Sequence, residues 1–170
     1  MIVHGGLVAK KRTGEWSGIL IRGESGSGKS DLALRLLGSG FRIVADDCVN
    51  LFVSKDRLFG HAPPLLADMM EVRGLGLDTV PSIPFSEVSV VAYCIASGEG
   101  DRLPEPRSEV ILGVELPIMF VTALEPSAPA KMCRAWEVLG RDRRGDYDVA
   151  SQAGAAKRTD VRIVPLGDAA

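Results

Sequence analysis

The stretch GESGSGKSDLALRLL, residues 23–37, decides the fold that we expect. Its first eight residues match the pattern G-x-x-x-x-G-K-[S/T] in full. Glycines allow backbone N–H groups to turn inward around phosphate oxygens, and the positive end of the following helix adds to the attraction. Lys29 is expected to reach the β- and γ-phosphates, and Ser30 to ligate Mg²⁺. The stretch therefore predicts a nucleoside-triphosphate site formed by Gly23, Glu24, Ser25, Gly26, Ser27, Gly28, Lys29 and Ser30.

The segments on either side of this stretch predict an α/β fold. Apolar runs at 2–9 and 16–21 flank a polar tip containing Gly14, which predicts a hairpin that leads into the glycine loop. Helix formers follow at 31–37, and FRIVADD (41–47) predicts a short strand that ends in two acids. Strand, glycine loop, helix and strand make a βαβ unit, which favours a right-handed crossover between parallel strands.

The second half of the chain is predicted to be rich in β-structure. A hairpin is expected around residues 55–56, and EVSVVAYCIA (87–96) is expected to form a strand. The glycine-rich segment 71–78 predicts no regular element, and two short strands are expected to break near Pro117. A second helix is predicted over 127–140.

Length and composition fit one domain without an obvious macromolecular or membrane affinity. The chain has 170 residues and a net charge of −2, so it lacks the global basic field used in non-specific nucleic-acid binding. Three scattered cysteines argue against a disulfide framework or a zinc site and fit a reducing, cytoplasmic compartment. No apolar window of membrane-spanning length and no signal-peptide layout is seen. We expect residues 1–145 to form the domain and 146–170 a flexible tail.

Asp46 and Asp47 are the first candidates for partners of the glycine loop. A protein with such a loop needs one acid near it for Mg²⁺. Adjacent residues on a strand point to opposite faces, so the second acid is free for another role. In a kinase, that role is to take the proton of the acceptor hydroxyl. The alternative is one functional acid beside one turn-forming acid.

Other candidates are less specific when taken residue by residue. Glu71 and Arg73 flank EVRGLG (71–76), which is either a loop that closes over phosphates or an ordinary surface loop. Arg102 is either a charge-stabilising arginine or a turn residue, and the turn is favoured. His4 is either a catalytic or a structural histidine, and the structural role is favoured. An N-K-x-D segment and an L-S-G-G-Q segment are both lacking, which disfavours a GTPase switch and an ABC-type ATPase.

Taken together, the motifs VHG, GESGSGKS, VADD, EVRGLG and DRL, in this order, resemble the catalytic domain of HPr kinase/phosphorylase. That family is ATP-dependent and modifies a serine of HPr, the phosphocarrier of the sugar phosphotransferase system. The resemblance implies an α/β fold: a P-loop domain with a mixed β-sheet, similar to the phosphoenolpyruvate carboxykinase core. It also implies ATP and Mg²⁺ as cofactors, HPr or an HPr-like protein as partner, and a hexamer.

The resemblance also implies roles for individual residues. His4, Lys29, Asp46 and Arg102 are then catalytic, with Asp46 the general base towards the seryl hydroxyl. Ser30 and Glu71 become Mg²⁺ ligands, and Asp47 becomes a supporting acid near the metal. The charge of Asp47 is expected to raise the pKa of Asp46.

The sequence also departs from the longer members of that family. They carry an additional N-terminal domain and a basic G-R-N-type segment, and neither is evident in this sequence, which leaves the phosphorylase reaction open. A phosphotransferase with another substrate and a nucleotide-binding regulatory module are the alternative functions.

Overall fold

The structure is a computed structural model, and it describes residues 1–97 and 105–140. Helices α1 (Lys29–Leu37) and α2 (Ala128–Leu139) pack on a mixed nine-stranded sheet, and a two-stranded sheet lies beside it. The strands are β1 (Ile2–His4), β2 (Gly6–Arg12), β3 (Glu15–Arg22), β4 (Arg42–Ala45), β5 (Cys48–Ser54), β6 (Arg57–His61), β7 (Met69–Val72), β8 (Gly76–Thr79), β9 (Ser86–Cys94), β10 (Arg107–Ile111) and β11 (Val114–Val121). The predicted tail 146–170 lies outside the described residues, and no helix within them is long and apolar enough to cross a bilayer.

The hairpin that leads into the glycine loop forms as predicted, but residues 2–9 are not one strand. Strands β2 and β3 pair antiparallel, whereas β1 separates from β2 at Gly5 and pairs with β5. The N–H of Gly5 donates to the carbonyl of Asp47 at 2.9 Å. A Cβ at Gly5 would lie 2.4 Å from the carbonyl oxygen of Ile21, so only glycine allows this close approach. The hairpin prediction did not include this crossing, because the crossing depends on contacts distant in sequence.

The predicted strand–helix–strand unit is present, with one strand inserted into it. Strands β3 and β4 run in the same direction, but β2 lies between them and is antiparallel to both. Helix α1 connects β3 to β4 and ends at Leu37, where the N–H of Gly38 donates to the carbonyl of Arg35 at 3.2 Å. The glycine loop and the segment after β4 are therefore brought to the same edge of the sheet.

The core lies on both faces of the sheet because the side chains of its strands alternate. On one face, Ile19 and Ile21 of β3 pack with Leu36 of α1 and Trp136 of α2. On the other face, Leu20 packs in a second cluster, with Leu7, Val49, Leu58 and Leu116 among its members. The helices cover only the first face, which holds α1 and the loop before it in place.

The turn at residues 55–56 is confirmed, and the prediction for residues 71–78 was wrong. Lys55 and Asp56 have φ values of 49° and 58° and connect β5 to β6. Residues 71–78 fall in the hairpin of β7 and β8, where no regular element was expected. Gly74 and Gly76 have φ values of 88° and 95°, so these glycines shape its turn.

The predicted break near Pro117 was also wrong. The chain turns at Leu112 and Gly113, whose φ values are 50° and 81°, and Pro117 lies inside β11. Strand β11 pairs with β9 only from Ile118 onward. One side of β11 is therefore unpaired at Pro117, and a strand tolerates proline at such a position.

Candidate functional site

A cleft of about 710 Å³ lies where the glycine loop, the end of β1, the segment after β4 and the β7–β8 hairpin meet. The structure places most of the predicted site residues on its wall, namely His4, Ser25, Gly26, Gly28, Lys29, Ser30, Asp46, Asp47 and Glu71. Gly23, Glu24 and Ser27 belong to the same loop but do not line the cleft. Arg102 lies outside the described residues.

The glycine loop joins β3 to α1 through two left-handed residues. Gly26 and Gly28 have φ values of 80° and 90°, and the carbonyl of Gly28 accepts the first hydrogen bond of the helix from Leu32 at 2.9 Å. The start of α1, with its unpaired N–H groups, therefore faces the cleft. A Cβ at Gly23 would lie 2.9 Å from the carbonyl oxygen of Cys94, so the loop is packed closely against the end of β9.

Lys29 is a buried cation at the first turn of α1. Lys29 is 8% exposed, and its Nζ donates to the carbonyls of Gly23 at 3.0 Å and Glu24 at 2.7 Å. Within residues 1–97 and 105–140, no carboxylate forms an ion pair with it. A buried ammonium that is held only by carbonyl dipoles has an uncompensated charge, which favours an anion in the cleft beside it.

Asp46 is the acid that faces the glycine loop. The hydroxyl of Ser30 donates to its Oδ1 at 3.0 Å. Burial raises the pKa of Asp46 above its ordinary value, and the charge of Asp47 adds to the rise. Hydrogen bonds from Ser30 and from the backbone N–H groups of Glu71 and Asp47 oppose it. The expected effect of Asp47 is confirmed in direction, although burial is the larger cause.

Asp47 faces His4 instead of the loop. Its Oδ1 lies 3.3 Å from Nδ1 of His4, and both side chains are more than half exposed. The two acids point apart, but not because they alternate along a strand, since β4 ends at Ala45. The separation comes from a turn in which Asp47 has φ 70°, a conformation that aspartate tolerates better than most residues.

Glu71 reaches the cleft because β7 lies beside α1 and the segment after β4. Its backbone N–H donates to the carboxylate of Asp46, and its side chain lines the cleft with that of Arg73. Among the described residues, no three His, Cys, Asp or Glu side chains are close enough together to hold an ion by themselves. Mg²⁺ usually needs only one or two carboxylates beside phosphate and water, so the oxygens of Ser30 and Glu71 fit it. Asp47 lines the same cleft, but its carboxylate is turned towards His4.

Sequence reasoning missed the apolar part of the cleft. Leu34, Leu65, Leu66, Met69, Val72, Leu77 and Leu124 also line it, together with Asp31. Leu124 follows β11, which is parallel to β9, as β3 is. Segments that follow parallel strands gather at one edge of a sheet. Leu124 could have been placed in the cleft only if the direction of β11 had been known from the sequence.

Comparison with known families identifies the chain. The sequence profile described as HPr Serine kinase C-terminal domain matches residues 1–90, and the chain belongs to this family. HPr kinase/phosphorylase of Bordetella petrii is 53% identical over 74 residues, which cover 43% of this chain and 24% of that protein. The enzyme of Leptothrix cholodnii is 49% identical over 111 residues, covering 57% of this chain and 34% of that protein. The matches therefore span about a quarter to a third of these relatives.

A solved structure supports the same fold. The HPr(Ser) kinase/phosphatase from Coxiella burnetii superimposes with a TM-score of 0.67 and 23% identity. The match covers 78% of this chain and 91% of that one. The mixed α/β fold with its curled sheet is thus similar to that of a known HPr kinase.

Proposed function

We propose that this chain is an ATP- and Mg²⁺-dependent kinase that phosphorylates a serine of HPr or of an HPr-like phosphocarrier. The observation that carries the proposal is the contact between Asp46 and Ser30 at the start of α1, directly beside the buried Lys29. This contact joins a carboxylate of raised pKa to the residue pair expected to hold phosphate and metal. Membership of the HPr kinase family supports the choice of substrate.

The glycine loop is proposed to act as a P-loop that holds the phosphates. Its N–H groups and the N-terminus of α1 would contact phosphate oxygens. Lys29 would exchange the carbonyls of Gly23 and Glu24 for the β- and γ-phosphates, and its burial strengthens that attraction. Ser30 and Glu71 would hold Mg²⁺, with Asp47 supporting it. When bound, Mg²⁺ supplies positive charge that offsets the phosphate charge.

Asp46 is proposed to take the proton from the seryl hydroxyl. A general base is most effective when its pKa lies near the operating pH, and burial moves the pKa of Asp46 in that direction. His4 would orient the carboxylate of Asp47 through their contact. Arg102 would offset charge on the transferred group. By resemblance to the family, we also propose that the protein acts in the cytoplasm and assembles as a hexamer.

Incubation of the chain with labelled ATP, Mg²⁺ and a purified HPr tests the proposal. We expect label on a serine of HPr. Asp46→Asn should abolish transfer and leave ATP binding largely intact. Asp56→Asn is the matched control because Asp56 lies in the β5–β6 turn and does not line the cleft. ATP binding without transfer to any phosphocarrier would refute the kinase and favour a regulatory module.

A further inference from the structure

The turn that follows β11 forms one wall of the cleft. The N–H of Glu125 donates to the carbonyl of Thr122 at 3.1 Å, which closes a turn with Leu124 near its tip. The side chain of Leu124 is 67% exposed and lines the cleft. A Cβ at Gly28 would lie 2.9 Å from its Cδ2, so Leu124 lies directly against the glycine loop.

Arg35 of α1 holds this turn from both sides of Leu124. One guanidinium nitrogen donates to the carbonyl of Ala123 and another to that of Glu125, the second at 3.2 Å. Its Nε donates to Oδ2 of Asp31 at 2.8 Å. The planar, five-donor guanidinium can make these contacts at once, whereas a lysine ammonium has no comparable fork. The backbone on either side of Leu124 is thus tied to helix α1.

Asp31 gives Arg35 a second role. Asp31 lines the cleft one residue after Ser30, so its negative charge would repel phosphates bound at the loop. The ion pair with Arg35 places a positive charge 2.7 Å from its Oδ2. Arg35 therefore offsets an unfavourable charge and holds an apolar side chain at the same time.

The sheet order places Leu124 and Asp46 on opposite sides of the glycine loop. Strand β4, which precedes Asp46, lies two positions from β3 on one side, and β11 lies two positions from β3 on the other. In phosphoryl transfer, the attacking and leaving oxygens are roughly in line. If the acceptor hydroxyl binds on the Asp46 side, the leaving nucleoside diphosphate, and with it the base and sugar, lies on the Leu124 side.

We propose that Leu124 is the apolar wall against which the base and sugar of the nucleotide pack, and that Arg35 is the positioning residue for this wall. The proposal rests on the proposed function, because it requires a nucleotide whose phosphates lie at residues 23–30. It assigns the turn after β11 to the nucleoside part of the ligand and the loop itself to the phosphates.

Calorimetric titration of the Mg²⁺ complexes of ATP and of inorganic tripolyphosphate separates the two parts. Leu124→Ala should weaken ATP binding about five- to tenfold and leave tripolyphosphate binding unchanged, because only ATP carries the apolar contact. Arg35→Lys keeps the charge beside Asp31 but loses the paired carbonyl contacts, so it should weaken ATP only. Arg35→Met should weaken both ligands, tripolyphosphate about threefold, because Asp31 is left unpaired.

Two matched variants control for general effects. Leu112→Ala removes an exposed leucine from the β10–β11 turn, and Arg134→Met breaks the exposed ion pair with Glu137 on α2. Neither should change the affinity for either ligand. The proposal is overturned if Leu124→Ala leaves ATP affinity unchanged or weakens both ligands equally, or if Arg35→Lys behaves like the controls.

These outcomes are distinguishable from failure of the proposed function. A wild-type chain that binds ATP and responds to Leu124→Ala as expected, but transfers no phosphate to HPr, refutes the kinase and supports the wall. A wild-type chain that binds neither ligand refutes both.

Discussion

Alanine in place of Gly26 or Gly28 tests the geometry of the glycine loop with two nearly matched changes. Both residues are left-handed, with φ values of 80° and 90°. A non-glycine residue in this region costs about 1–2 kcal/mol, since its Cβ approaches the neighbouring carbonyl. That cost applies to both substitutions. Their surroundings differ, and the difference is what the experiment measures.

Gly28→Ala adds a steric cost that Gly26→Ala lacks. A Cβ at Gly26 meets nothing within 4 Å, whereas one at Gly28 would lie 2.9 Å from Cδ2 of Leu124 and 3.2 Å from Cβ of Ala123. Leu124 is exposed and can rotate away, but Ala123 is 1% exposed and cannot. Overpacking of this kind costs about 1–3 kcal/mol, and the freedom of Leu124 favours the lower end. We therefore expect losses of about 1–2 kcal/mol for Gly26→Ala and about 2–4 kcal/mol for Gly28→Ala.

Urea unfolding without nucleotide or divalent cation gives both free energies by linear extrapolation. The slope against urea should match that of the wild type, since neither change alters the surface exposed on unfolding. Equal destabilisation by Gly26→Ala and Gly28→Ala would contradict the steric cost assigned to Gly28. A neutral effect of either substitution would show that the left-handed conformation carries no cost.

Three further predictions concern stability. Asp46→Asn should stabilise the ligand-free chain at neutral pH: the raised pKa means that the folded state disfavours the carboxylate, and this penalty fades as pH falls through that pKa. Gly60→Ala should destabilise by about 1–3 kcal/mol, because a Cβ there would lie 2.6 Å from Cδ2 of Leu7, inside the second core cluster. Trp136→Phe should cost about 1–3 kcal/mol, because its buried Nε1 donates to the carbonyl of Ser17 at 2.9 Å.

Unfolding by urea, followed across a pH series for the aspartate, measures all three, and each has a matched control. Asp56→Asn changes an exposed acid and should show no such pH-dependent gain; a constant Asp46→Asn difference at every pH contradicts the prediction. Gly38→Ala adds a Cβ at a right-handed residue with φ −62° and should be nearly neutral. Trp16→Phe alters a half-buried indole. If it lowers the free energy of unfolding as much as Trp136→Phe does, the hydrogen bond of Trp136 is not the cause of the loss.

Features that depend on neighbouring residues could be predicted from the sequence. Gly28 starts a helix at Lys29 because only glycine readily takes φ 90° there. The turn at Lys55 and Asp56 likewise depends on its own residues and the alternating runs beside it. Asp46 was expected near the loop because a strand after a crossover helix returns to the same edge of the sheet, and its contact with Ser30 bears this out.

Features that depend on distant pairings could not be predicted in this way. Strand β1 leaves its neighbour at Gly5 because β5, more than forty positions further along, offers it a partner. Pro117 lies in a strand because β9 leaves one side of β11 unpaired at that point. The place of Leu124 in the cleft follows from the same parallel pairing. Residue types at these positions carry no local sign of which strand lies beside them.

The two charged groups at the centre of the cleft explain why the fold and the proposed ligand belong together. Lys29 is buried with only carbonyl partners in the described part of the chain, and burial disfavours the ionised form of Asp46. Both groups are held by the same short segment of α1, through Lys29 itself and through Ser30. Each arrangement destabilises the empty protein. A polyphosphate would supply the anion that Lys29 lacks, and a divalent cation would favour the carboxylate of Asp46. The same desolvation that lowers the stability of the folded chain would therefore strengthen its attraction for the proposed metal-bound nucleotide.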